Sequence, residues 1–99
     1  MVKEINDNEF NEVIEEGKVL VDCFATWCGP CQMLSPVIEE LANEVKEYNL
    51  YKLDVDQNPD VASTYGVMSI PTLLIFEDGK LRSSSVGLKS KDELLSMLK

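Results

Sequence analysis

The sequence contains no histidine, few basic residues and only three cysteines in 99 residues. Nine Lys and Arg stand against eighteen Asp and Glu, a net charge of −9, and this negative field repels nucleic-acid phosphates and anionic lipid surfaces. No segment approaches the ~20 consecutive apolar residues of a membrane span, and the first residues lack the apolar stretch of a secretory signal. We therefore expect a cytoplasmic protein that binds neither nucleic acid nor membrane.

The small, odd number of cysteines argues against the disulfide framework of a secreted domain. Structural disulfides are rare in the cytoplasm, so the close pair Cys28 and Cys31 is expected to be catalytic or metal-binding. Structural zinc needs four ligands, and the remaining cysteine, Cys23, falls in a predicted central strand. Because the chain also lacks histidine, it cannot complete such a site alone, and we expect no metal.

Apolar patterning predicts one domain over residues 1–99, in which strands alternate with helices. The nearly continuous apolar run 19–25 is typical of a central strand covered on both faces. A long helix follows, with an apolar stripe from Leu34 to Tyr48, and its crossover favours parallel pairing with a strand at 50–55. Other strands are predicted at 2–5, 72–76 and 80–86, with a tight turn at Asp78-Gly79, and other helices after Asn6, Asn58 and Ser90.

Cys28 and Cys31 lie at the junction of the central strand and the long helix. Their spacing places both side chains on one side of the first helical turn, close enough to form a disulfide. The unpaired N–H groups and the positive dipole of a helix N-terminus stabilise a thiolate at the first cysteine. We expect Cys28 to be the nucleophile and Cys31, one turn further in, to be the resolving thiol.

A carboxylate, Asp22, interrupts the apolar central strand. Burial disfavours its charged form and raises its pKa, so such a group carries protons near neutrality. Because the chain has no histidine, Asp22 is the best-placed general base for Cys31. The alternative is a structural carboxylate that caps a backbone group or reaches water at the sheet edge.

The sequence around these positions resembles the thioredoxin family over nearly the whole chain. The matching motifs are Val-Asp-Cys-Phe-Ala-Thr-Trp-Cys-Gly-Pro-Cys at 21–31, Asp-Gln-Asn-Pro at 56–59, Ser-Ile-Pro-Thr at 69–72 and Val-Gly at 86–87. The resemblance implies an α/β fold, with a central mixed five-stranded sheet flanked by four helices, and a cis peptide bond before Pro71. It also implies a lysine near the buried carboxylate, at Lys52, and a surface that binds target proteins, formed by Trp27, Gly29, Pro30, Ile70, Pro71 and Gly87.

Three of these assignments have simpler alternatives, and two positions depart from the family pattern. Pro71 would otherwise be an ordinary loop proline with a trans peptide bond. Trp27 would also serve as a core anchor for its own loop, and Lys52 as a solvent-facing strand lysine. Cys23 replaces a common aromatic residue and is interpreted as a small buried hydrophobe with no redox role. Gln32 replaces a common Lys or Arg, which reduces the positive charge beside the cysteines.

The predicted function is reduction of protein disulfides through Cys28 and Cys31, by a monomer with no metal, nucleotide or flavin of its own. The resemblance implies a flavoprotein thioredoxin reductase as electron donor. One alternative is a disulfide-forming oxidase or isomerase, against which the Gly-Pro pair between the cysteines and the lack of a signal both argue. Another is a redox-dependent binding module that uses the same groove without turnover.

Overall fold

The computed structural model describes residues 2–99, over which five strands and four helices follow one another. The strands are β1 (Lys3–Ile5), β2 (Lys18–Phe24), β3 (Tyr48–Asp54), β4 (Thr72–Glu77) and β5 (Lys80–Val86). The helices are α1 (Asp7–Ile14), α2 (Gly29–Glu44), α3 (Pro59–Thr64) and α4 (Lys91–Met97). Across these residues, no helix has the length and apolar character that a membrane span requires.

The strands form one mixed sheet in the order β1-β3-β2-β4-β5. β1, β3 and β2 are parallel, whereas β4 is antiparallel to β2 and β5 is antiparallel to β4. β2 is central because residues 19–23 are buried and supply side chains to both faces of the sheet. The predicted mixed five-stranded sheet with four helices is confirmed.

Helices cover both faces of the sheet, and two apolar layers result. Between the sheet and the pair α2 and α4 lie Leu20, Leu34, Ile38, Leu41, Leu73 and Leu94. Between the sheet and the pair α1 and α3 lie Phe10, Ile14, Val19, Val21, Val61 and Phe76. Since alternate strand residues point to the same face, Asp22 shares the face of Leu20 and lies on the α2 side.

Capping boxes begin α1 and α4, as the sequence predicts. The side chains of Asn6 and Ser90 accept the backbone N–H groups of Glu9 and Glu93, each at 3.1 Å. Each glutamate accepts the N-cap N–H in return. Both helices thus satisfy two of the N–H groups that a helix start leaves unpaired.

The start of α3 depends on another helix. Asn58 precedes α3 but makes no side-chain capping bond to it. Instead, the Asp7 carboxylate at the start of α1 accepts the backbone N–H groups of Asp60 and Val61, both at 3.0 Å. The Asn58 side chain accepts the Asp7 N–H at 2.8 Å. The N-terminal ends of α1 and α3 therefore cap each other.

The turn between β4 and β5 consists of Asp78 and Gly79, with φ angles of 50° and 85°. Two consecutive positive φ values are what a tight two-residue hairpin requires, and glycine adopts such angles without strain. Asp78 also exchanges two hydrogen bonds with Gly17, one through its backbone N–H at 2.9 Å and one through its carboxylate at 2.8 Å. The hairpin is thereby attached to the loop before β2.

The end of α2 differs from the sequence prediction. The helix stops at Glu44, and its C-cap residue Val45 has extended backbone angles, φ −98° and ψ 95°. Tyr48, which the apolar stripe includes in the helix, begins β3 and pairs with Lys18 of β2. Its ring still packs on the apolar layer between the sheet and the pair α2 and α4. The apolar stripe therefore predicts correctly where the Tyr48 side chain is buried, but wrongly assigns Tyr48 to a helix.

Candidate active site

The cysteine pair lies where β2 ends and α2 begins. Cys28 is the N-cap residue of α2, and its N–H donates to the Ala25 carbonyl at 3.2 Å, which closes the turn out of β2. Pro30 occupies the first helical turn, where its missing N–H leaves no helical bond unmade. A disulfide joins Cys28 to Cys31, with 5.2 Å between their Cα atoms. The predicted pairing across the first turn is confirmed.

The two cysteines are alike in burial but differ in their surroundings. Cys28 is 4% exposed and Cys31 is 5% exposed, so exposure alone does not distinguish their roles. The Cys28 sulfur accepts the backbone N–H of Cys31 at 3.2 Å, at the N-terminus of a 16-residue helix. Both the N–H and the helix dipole stabilise negative charge on that sulfur. After reduction of the disulfide, the geometry favours a thiolate at Cys28.

The loop before β4 packs beside the cysteines. The peptide bond between Ile70 and Pro71 is cis, as the family resemblance implies. The Ile70 carbonyl oxygen lies 3.9 Å from the Cys28 sulfur, and the Ile70 side chain packs on the cluster that contains both cysteines. The Pro71 carbonyl accepts the Gly87 N–H at 2.8 Å. The loop at 70–71 therefore connects the cysteine pair with the residue that follows β5.

Asp22 is a carboxyl group in the apolar interior, 5% exposed. Among residues 2–99, its Oδ1 atom has no hydrogen-bond partner. Burial raises the pKa of Asp22 to about 7, and the positive charge of Lys52 opposes part of that increase. Lys52 is the register partner of Asp22 on β3 and is half-buried. The predicted burial of Asp22 is confirmed, and its role as a general base stays a prediction.

A cavity of about 230 Å³ lies between the end of β2 and the first turns of α2. Asp22 and Cys31 both line it, and Lys52 and Ser35 contribute further polar groups. The space is large enough for several water molecules. The buried carboxyl and the inner cysteine therefore line one cavity that is large enough to hold water.

Trp27 is exposed but fixed at its polar edge. The side chain is 71% exposed, and its indole N–H donates to the Asp56 carboxylate at 2.7 Å. The N–H of Asp56 donates in turn to Asp54 at 2.9 Å. On the other side of the loop, the Gln32 amide donates to the Thr26 carbonyl at 3.1 Å. The apolar ring of Trp27 thus faces solvent in a defined position, so Trp27 is not a core anchor.

Cys23 lies on the opposite face of β2 from Asp22. It is fully buried in the layer beneath α1 and α3, and it forms no disulfide. Burial, together with the negative charge of Asp22, raises the pKa of the Cys23 thiol to about 12. Cys23 therefore stays a neutral thiol near neutral pH, and its interpretation as a small buried hydrophobe is confirmed.

Sequence reasoning assigned no role to three residues that the structure brings to attention: Asp56, which stands in the matched motif at 56–59, Ser35 and the exposed Met68. Ser35 stands four residues after Cys31 on one helix face, and that spacing is a signal which sequence reasoning could use. Nothing local links Asp56 to a tryptophan 29 residues earlier. Met68 stands out only by its exposure in the fold, 95%.

The geometry of the site by itself defines a class of protein. Within residues 2–99, no three Cys, Asp or Glu side chains form a group that could hold a metal ion. A disulfide at a helix N-terminus, with one cysteine beside a cavity that holds a buried carboxyl, is suited to thiol–disulfide exchange. The site is that of a thiol–disulfide oxidoreductase.

Comparison with known proteins narrows this class. The family model described as Thioredoxin matches residues 1–99. A thioredoxin of Chlamydia muridarum is 50% identical over 98 residues, which cover 99% of this chain and 96% of that protein. A thioredoxin of Listeria monocytogenes is 50% identical over 95 residues, with 95% and 92% covered. One of Staphylococcus aureus is 46% identical over 98 residues, with 98% and 94% covered. The chain belongs to the thioredoxin family.

Family and geometry together assign the activity. The chain is a protein-disulfide oxidoreductase that works by dithiol–disulfide exchange through Cys28 and Cys31. The disulfide in the structure is the oxidised state of this reaction, and the dithiol is the reduced state.

Proposed function

We propose that the chain reduces disulfides of target proteins, with Cys28 as the attacking thiolate and Cys31 as the resolving thiol. One observation carries this order: the Cys28 sulfur is the one that receives a helix N-terminal N–H, at 3.2 Å. Cys28 attacks a target disulfide, so a mixed disulfide forms and one target thiolate leaves. Cys31 then attacks the Cys28 sulfur, which releases the second target thiolate and forms the Cys28–Cys31 disulfide. Two electrons pass to the target.

In this proposal Asp22 is the general base that accepts the proton of Cys31. A pKa of about 7 means that the carboxylate and the acid are both populated near neutrality, so one group accepts the proton and later releases it. The shared cavity has room for water molecules that would connect the two groups. Lys52 opposes the effect of burial and so keeps Asp22 partly ionised at neutral pH.

Targets bind on the surface that surrounds Cys28, which we call the docking surface. An exposed indole beside the nucleophile offers apolar area to a partner chain, and the half-buried Ile70, which packs on the cysteine cluster, adds to that area. Pro71 is buried and supports the loop from below. The docking surface consists of Trp27, Gly29, Pro30, Ile70, Pro71 and Gly87.

A thioredoxin reductase supplies the electrons that return the disulfide to the dithiol. The chain itself then needs no bound cofactor, because thiol–disulfide exchange uses only the sulfur atoms of the two partners. A reducing cytoplasm is the compartment in which the dithiol state persists and the cycle runs in this direction.

Two serine variants test the order of the cysteines. Cys31→Ser should accumulate a covalent adduct with a disulfide-bonded protein, because attack proceeds and resolution does not. Cys28→Ser, of nearly the same size, should form no adduct and show no turnover. Mass spectrometry under non-reducing conditions measures both. An adduct on Cys31 in the Cys28→Ser variant, with none on Cys28 in the other, would reverse the assignment.

Turnover separates the enzyme from a redox-dependent binding module. With excess dithiol and a disulfide-bonded protein, the parent chain should reduce many equivalents of substrate, whereas a binding module would reduce none above the uncatalysed rate. Cys28→Ser is the matched control, since its docking surface is unchanged. Equal rates for the parent and this control would reject the proposed function.

A further inference from the structure

Met68 is the most exposed of the large apolar side chains in residues 2–99, at 95%. The backbone on each side of it is held in place. The Val67 N–H donates to the Ala62 carbonyl at 2.8 Å, and Val67 packs on the apolar layer beneath α1 and α3. Ile70 packs on the cysteine cluster. Neighbours on both sides are anchored while the Met68 side chain faces solvent, so its exposure is a defined feature of this loop.

Met68 lies close along the chain to Ile70, the residue whose carbonyl is next to the reacting sulfur. One residue, Ser69, separates Met68 from Ile70, so their Cα atoms are at most ~7 Å apart. The Ile70 carbonyl oxygen is 3.9 Å from the Cys28 sulfur. A target whose disulfide reaches Cys28 must cover Ile70, and the long Met68 side chain is then within reach of that target. Methionine is flexible and polarisable, which suits a surface that accepts targets of different shape.

We propose that Met68 contacts target proteins and that oxidation of its thioether to the sulfoxide by a peroxide weakens target docking. This inference rests on the docking surface proposed above and adds to it a modification site and a chemical class of modifier. The dithiol chemistry itself is unaffected, because the modified atom takes no part in sulfur exchange.

Hydrogen peroxide alone supplies the oxygen atom and accepts the two electrons that this oxidation requires. The Met68 sulfur attacks one oxygen of hydrogen peroxide, the O–O bond breaks, an S–O bond forms and water leaves. The sulfur loses two electrons and the peroxide gains them. The product replaces an apolar atom by a strong dipole, which must be desolvated when a target covers it.

The other sulfur atoms allow the effect to be isolated. In the oxidised protein, Cys28 and Cys31 form a disulfide, and Cys23 is fully buried. Met33 on α2 is also exposed, at 63%, and is the comparison site. Met68→Leu and Met33→Leu keep apolar side chains of similar size but cannot form sulfoxides.

The test treats the oxidised protein with hydrogen peroxide, removes the peroxide and maps sulfoxides by mass spectrometry. Steady-state rates are then measured with a disulfide-bonded protein and with a small aromatic disulfide. Treatment should raise KM for the protein substrate on the order of fivefold, which is the change expected from the loss of one apolar contact. It should leave kcat and the rate with the small disulfide unchanged. Met68→Leu should be insensitive to peroxide, whereas Met33→Leu should respond like the parent. Met68→Gln, untreated, should show a raised KM as well.

Several results would overturn the inference. They are a sulfoxide at Met68 with unchanged KM, oxidation of Met33 under conditions that spare Met68, and equal sensitivity of Met68→Leu and the parent. These are distinct from failure of the proposed function, which would appear as absent turnover of the protein disulfide before any peroxide is added.

Discussion

Replacement of Asp22 by asparagine allows two effects of the buried carboxylate to be measured apart: its cost in folding stability and its proposed contribution to the rate of disulfide exchange. The carboxyl ionises near 3.8 when unperturbed and has a pKa of about 7 in the fold. Because the folded pKa is raised, the folded chain still holds the proton that the unfolded chain has released, and the free energy of unfolding falls as pH rises from about 4 to 7. At about 1.36 kcal/mol per pH unit, the loss is roughly 4 kcal/mol above pH 7.

Asp22→Asn should not show this pH-dependent loss of stability, because the amide does not ionise, but it places an N–H donor group in the apolar interior. Its N–H groups need acceptors where Oδ1 of Asp22 has no partner, and an unpaired buried donor costs about 1–3 kcal/mol. We expect the variant to exceed the parent in free energy of unfolding by roughly 1–3 kcal/mol at pH 8. Near pH 4 most of this advantage should disappear, since the folded carboxyl is then neutral and the unfolded carboxyl, with its pKa of 3.8, is only about half ionised. Urea unfolding of the oxidised proteins between pH 4 and 8 measures both trends.

The same substitution should slow resolution of the mixed disulfide. General base catalysis typically contributes on the order of 100-fold or more, and an amide accepts no proton. The rate loss should be largest near pH 6 and should shrink toward pH 9, where thiols with an ordinary pKa of about 8.5 ionise unaided. Rapid-mixing measurements of mixed-disulfide decay under single-turnover conditions report this step directly.

Asp54→Asn is the matched control. Asp54 is also buried, 7% exposed, but its carboxylate accepts the Asp56 N–H at 2.9 Å and it does not line the cavity with Cys31. This variant should gain no stability at pH 8 and should resolve mixed disulfides with the parental pH profile. An Asp22→Asn variant that is less stable than the parent at pH 8 and resolves at the parental rate would refute the reasoning, because Asp22 would then be a structural group.

Three further outcomes are expected. Lys52→Met removes the charge that lowers the pKa of Asp22, so the pH profile of resolution should move to higher pH, and an unmoved profile would exclude the interaction. Cys23→Ala should lower the free energy of unfolding by about 1 kcal/mol without loss of turnover, and a large loss of turnover in the folded variant would give Cys23 a redox role. Asp7→Ala should lower the free energy of unfolding by about 1–2 kcal/mol, measured in urea, since two N–H groups of α3 lose their acceptor. An unchanged unfolding midpoint would mean that water replaces the carboxylate.

Local features of this fold were predictable because the atoms that determine them are close in sequence. The capping boxes of α1 and α4 each involve residues three apart, and the Asp78-Gly79 turn depends only on its own backbone angles. The disulfide across the first turn of α2 is equally local. In each case the side-chain types and their spacing are sufficient to predict the geometry.

Long-range features were not predictable from local pattern. The boundary between α2 and β3 depends on the pairing of Tyr48 with Lys18, thirty residues apart along the chain. The hydrogen bond of Trp27 with Asp56 and the cap that Asp7 provides for α3 likewise join separate segments. Apolar periodicity identifies which face of a helix or strand is buried, but it contains no information about which other segment packs against that face.

The most informative residue of the site is the one that breaks the pattern of its own strand. Every neighbour of Asp22 in β2 from 19 to 23 is apolar and buried, so packing alone would place another apolar side chain there. A loss of roughly 4 kcal/mol is a large part of the ~5–15 kcal/mol by which domains of this kind are stable. A neutral residue would therefore fold better. In the proposed function, the carboxyl with a pKa of about 7 offsets this cost because it lines the same cavity as Cys31 and accepts the proton of that thiol. If the proposed role is correct, stability and turnover favour different residues at this position, which is the relation expected of a functional group rather than of a structural one.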